Sequence, residues 1–100
     1  MFSSYQKECI DAAMLRAILT RKYATGPEEK AATERDFTDI IYTAAICGAP
    51  IQPDGWMETL REAIRITSYP EKNEKEIKAQ LLSLFDARIW NIPKEAADND

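Results

Sequence analysis

Three proline-bearing stretches govern what this chain can fold into: YATGPEEK (23–30), CGAPIQPDGW (47–56) and SYPEKN (68–73). Proline lacks a backbone donor and clashes with the preceding helical turn, so each stretch ends one helix and frees the chain to start another. Between the breaks, apolar residues recur at three- and four-residue intervals, the period of a helix with one inward face. No apolar–polar alternation survives over more than four residues, and Asp54-Gly55 is followed by a helical period rather than a strand. The expected fold is therefore all-α, an irregular four-helix array or bundle with helices at about 4–24, 27–47, 55–68 and 74–91. A single helical domain over 1–93 is expected, followed by a flexible acidic tail, KEAADND, at 94–100.

Local chemistry sets the expected helix ends. Ser3 and Gln6 have capping-box spacing, and Arg21 and Lys22 suit the carbonyl end of the first helix. Thr25 with Glu28 repeats the capping spacing before the second helix, with Pro27 in its first turn. The polar half of that helix, EEKAATERD, is expected to fray or kink near Arg35-Asp36. Gly48 stands where a left-handed residue closes a helix, and Pro50 forbids continuation. Asp54 is the expected N-cap of the third helix and Asn73 of the fourth, which Pro93 ends. Every unusual residue of CGAPIQPDGW thus has a backbone role, and the stretch reads as a stiff connector. Its alternative is a partner-binding loop, since a stiff loop loses little entropy on binding.

The first helix carries too much apolar surface for one face. In CIDAAMLRAIL (9–19), nine of eleven residues are apolar. Ile10, Ala13, Met14 and Ala17 lie on one side, and Tyr5, Ala12, Leu19 and Tyr23 on the other. Such a helix is either central or awaits a partner. The second helix has a cleaner stripe of Phe37, Ile40, Ile41, Ala44 and Cys47, with Tyr42 and Ile46 on its back. The third buries Trp56, Met57, Leu60, Ala63, Ile64 and Thr67, and the fourth Ile77, Leu81, Leu84, Phe85 and Ile89. Trp90 falls about 100° or more from the centre of the fourth stripe on an ideal helix. It either caps the core or stands exposed as an interface anchor. A short turn makes the first two helices antiparallel and sets Cys9 and Cys47 at similar heights. They are expected as two buried, reduced thiols, with a disulfide or redox switch as the alternative.

Composition removes several function classes. With no histidine, the commonest general base and most zinc geometries are absent. There is no Cys-x-x-Cys, no phosphate-binding Gly-Lys-Ser/Thr loop and no calcium loop. Asp36 and Asp39 share a helical face, but neighbouring cations make that a solvated face rather than a metal site. No catalytic residue, metal ligand or cofactor is expected, and the chain is not expected to be an enzyme. The net charge of −4 disfavours nucleic acid, and Glu58 and Glu62 interleave with the Arg61 and Arg65 that would face phosphates. The 48–54 break is longer than the turn of a helix-turn-helix.

No span is long and apolar enough for a membrane, and residues 1–8 lack the basic start of a signal peptide. The expectation is a cytoplasmic chain with free thiols. What remains is a small protein-binding or regulatory module acting through an apolar helical surface, its partner another protein or a second copy in a homodimer. Trp90, Tyr42, Ile46, Arg61 and Arg65 are the expected contact residues. The alternative is a small acidic inhibitor, of the phage or mobile-element kind, that blocks a basic groove of a host protein.

Overall fold

A computed structural model describes residues 3–52 and 54–92; the expected tail at 94–100, Pro93 and Pro53 lie outside them. The described residues form four helices, α1 (Ser4–Lys22), α2 (Pro27–Ile46), α3 (Trp56–Thr67) and α4 (Glu74–Arg88), and no strand. The fold is all-α, as the breaks require. The helices divide into two units, Met1–Pro50 and Ile51–Asp100; α1 packs on α2 in the first and α3 on α4 in the second.

The first unit begins with the expected capping box. The Ser3 hydroxyl accepts from the Gln6 amide at 3.1 Å, and the Gln6 side chain accepts from the Ser3 amide at 2.8 Å. Met14, Ala17 and Ile18 of α1 and Phe37, Ile41 and Ala44 of α2 are buried. Asp11 is buried too, its carboxylate 2.7 Å from the ammonium of Lys7 one turn earlier. A carboxylate inside an apolar run costs desolvation free energy, and the i, i+4 cation offsets part of that cost.

Thr25 does not cap α2. Gly26 occupies the N-cap, with φ −116° and ψ 156° and no side-chain bond. The residue before a proline is driven to extended backbone, which is N-cap geometry, so Pro27 moves the cap one residue on. The expected interruption near Arg35-Asp36 is also absent, and α2 runs unbroken. Thr33 is buried one turn before Phe37, so the inward stripe continues through the polar half.

The end of α2 is a Schellman motif. Gly48 has φ +92°, the Gly48 amide donates to Ala45 O at 3.1 Å, and the Ala49 amide donates to Ala44 O at 3.0 Å. Both Ala44 and Ala49 are buried, which supplies the apolar contact that accompanies such a turn.

In the second unit the Gln52 amide donates to Ile89 O at 2.7 Å, which ties the segment before α3 to the end of α4. Asp54 is not the N-cap of α3. Gly55 takes that place at φ +85°, a left-handed backbone that favours glycine, and its carbonyl accepts from the Thr59 amide at 2.9 Å. Thr59, Leu60, Ala63 and Thr67 of α3 and Ile77, Leu81 and Phe85 of α4 are buried, while Trp56 is half-buried. Asn73 caps α4 as expected, accepting from the Glu76 amide at 2.8 Å.

Helix α4 stops at Arg88, earlier than expected, and the Ile89 and Trp90 amides both donate to Phe85 O, at 2.8 and 2.9 Å. Asn91 then adopts φ +56°. Past Arg88 the 100° step no longer applies, so the wheel position of Trp90 has no meaning. The turn instead buries it at 7% exposure. Of the two alternatives for Trp90, packing into the core is the one found, so it is not an exposed anchor of the expected contact set.

Candidate functional site

Among the described residues of the first unit few large apolar side chains stay in water, and those of α2 share a side. Tyr42 and Ile46 lie one turn apart and are 54% and 83% exposed. Tyr5 of α1 is 73% exposed and Tyr23, its C-cap, 66%. Leaving an isoleucine this open forgoes roughly 1.5–3 kcal/mol relative to full burial. The expected surplus of apolar surface on α1 and on the back of α2 is present.

A seam runs where α1 and α2 meet. At the end away from the 23–26 turn it opens into a groove of about 420 Å³, lined by Gln6, Cys9 and Ile10 from α1 and by Ile40, Thr43, Ala44 and Cys47 from α2, with Asp39 at the rim. Towards the turn it continues as a second depression between Ala13, Arg16 and Thr20 of α1 and Glu29, Ala32, Asp36 and Asp39 of α2. The cause is side-chain size. Cys9, Ala13, Ala32, Thr43, Ala44 and Cys47 are all short, so two helices held apart by larger core residues leave a trough above them.

Both cysteines are free and exposed, which overturns their expected burial. Cys9 precedes buried Met14 by five residues, about 140° round the helix, and so lies off the inward face. Cys47 is the C-cap of α2, where the stripe has already turned away. The expectation that they sit at similar heights is met in one respect: both line the same groove, from opposite walls.

The second unit offers a different surface. Arg65 donates to the Glu62 carboxylate through Nε at 3.0 Å and through a second guanidinium nitrogen, and to the Tyr69 hydroxyl at 2.7 Å. The hydrogen bond from Arg65 holds the Glu62 carboxyl below its usual range, and the same bond raises Arg65 further above its own. The Arg65 guanidinium and the Lys72 ammonium lie 5.7 and 5.3 Å from the centre of the Tyr69 ring, and Lys72 also donates to Gln80 at 2.8 Å. Charge on this face is therefore largely satisfied within it. Arg61 is exposed on the same helix.

The five expected contact residues are distributed over both units. Tyr42 and Ile46 belong to the first unit, Arg61 and Arg65 to the second, and Trp90 is buried. Sequence reading missed the seam residues Gln6, Ile10, Asp39, Ile40 and Thr43 as a group. The signal was a line of short side chains on both helices. Among the described residues no cluster of three metal-ligating side chains occurs, and no helix is long and apolar enough to cross a membrane. Comparison with known protein families, curated proteins and solved structures finds no match for this chain.

Proposed function

We propose that this chain is a small non-enzymatic binding module that docks another protein, or a second copy of itself, through the outer face of the α1–α2 pair. The reading rests on the exposure of Ile46, Tyr42 and Tyr5 and on the open, largely apolar groove between α1 and α2. Exposed apolar surface of this kind is retained at interfaces, because burial there returns the free energy that folding left unused. Arg61 and Arg65 play at most a peripheral part in this reading, since Arg65 is already engaged by Glu62 and Tyr69. The free thiols fit a reducing, cytoplasmic setting.

The test is site-directed photo-cross-linking in extract of the source cell. A photo-reactive residue at position 46 is expected to capture a discrete partner or a dimer, and one at position 75, on the exposed side of α4, is not. Equal capture from both positions contradicts the reading.

A further inference from the structure

The docking reading says which face is used; the seam adds what kind of partner suits it. The trough changes character along its length. At the far end its walls are mostly apolar, Cys9, Ile10, Ile40, Ala44 and Cys47, with Gln6, Thr43 and the shared Asp39 as the polar members. Towards the turn its charged residues are Glu29, Asp36 and Asp39 against a single cation, Arg16. None of those four side chains makes an ion pair among the described residues. From Gln6 to Thr20 the α1 wall spans 14 residues, about 21 Å at 1.5 Å per residue. That is about four turns of a partner helix lying in the trough.

Resting on the docking reading, we propose that the α1–α2 seam receives one amphipathic helix of a partner protein. That helix is apolar where it covers Cys9, Ile40 and Cys47, and carries lysine or arginine where it passes Asp39, Asp36 and Glu29. The complex is a three-helix arrangement in which two walls belong to this chain and the third helix arrives from outside. Apolar burial supplies affinity, and the three carboxylates set the direction in which the helix lies. An acidic helix is rejected by the same charges, since like charges brought together at an interface cost free energy. The cysteines on facing walls report occupancy, because a helix in the trough shields both.

The test uses the full chain and two synthetic helical peptides of about 16 residues with one shared leucine–alanine stripe. One ends in lysines and the other in glutamates. Fluorescence anisotropy is expected to show the lysine peptide binding roughly tenfold tighter, the weight of a few surface ion pairs. The preference is expected to reverse in the double variant Asp36→Lys, Asp39→Lys, whose sites are exposed and whose folding is checked by circular dichroism. Maleimide labelling of Cys9 and Cys47 is expected to slow together when the lysine peptide is bound. Equal affinity for the two peptides, or binding with both thiols still fully reactive, overturns the proposal. So does binding of neither peptide. If neither binds while position 46 still captures a partner, the helix inference falls and the docking reading stands. If both experiments fail, the docking reading falls with it.

Discussion

The α3–α4 pair carries a hydrogen-bonded charged cluster on its surface, whereas the α1–α2 pair leaves Tyr5, Tyr42 and Ile46 open to water. In α3 the inward sector holds Leu60 and Ala63, and the outward sector is occupied by the Glu62–Arg65–Tyr69 cluster. In α4, Glu74 and Lys78 pair on the solvent side at 3.7 Å, and only Leu82 is a marginally exposed large apolar residue. By contrast α1 buries a carboxylate, Asp11, yet exposes Tyr5 and its C-cap Tyr23, and α2 exposes Tyr42 and Ile46. Folding alone would favour the opposite placement. That difference is why the proposed docking surface is placed on α1–α2 rather than on α3–α4.

The comparison breaks first if the two cores are unequal. Phe37 and Phe85 are each fully buried, so Phe37→Ala and Phe85→Ala are both expected to cost about 3–5 kcal/mol in urea denaturation. A much smaller loss at Phe37 would mean that the α1–α2 core is loose, and its exposed residues would then reflect poor packing rather than a docking surface. A second probe concerns the backbone turns. A Cβ at Gly48 meets no atom within 4 Å, so Gly48→Ala is expected to cost about 1–2 kcal/mol through its positive φ alone. Gly26→Ala, at φ −116°, carries no such strain and is expected to be neutral or slightly stabilising.

Surface changes sharpen the contrast further. Ile46→Asp is expected to alter stability by no more than about 0.5 kcal/mol while removing partner capture. A large loss of stability would show instead that Ile46 supports the fold. The smallest effect belongs to Glu62→Gln. Folding lowers the pKa of Glu62 through its bond to Arg65, so the pair contributes above the unfolded value, and that contribution disappears as pH falls through the folded one. Wild type and variant are therefore expected to converge in urea midpoint between about pH 7 and about pH 3, with only a slight difference at the higher pH, since both side chains are in water.

Much of the fold was legible because its determinants are local. The capping bonds of Ser3 and Asn73 and the positive φ of Gly48 follow from neighbouring residues, as do the four apolar stripes. The misreadings arose where a periodic pattern was carried past its helix. The wheel that left Trp90 open between core cap and exposed anchor had already ended at Arg88, and Cys47 extends its stripe only as far as a C-cap. Caps were misassigned at Thr25 and Asp54 because backbone demands at Pro27 and Gly55 outrank a side-chain acceptor. Within the candidate site, Tyr42 and Ile46 were legible as surplus apolar residues. The trough was not, because it is made by what short side chains leave empty across two helices, and a one-helix wheel registers only what is present.

The central claim is that the outer face of α1–α2 is apolar surface held open for a partner. Hydrophobic-dye fluorescence and light scattering on the full chain, beside Ile46→Asp, test it most directly. The expected result is dye binding or concentration-dependent association in the wild type, and its loss in the variant. A wild-type chain that binds no dye and stays monomeric at every concentration would contradict the account.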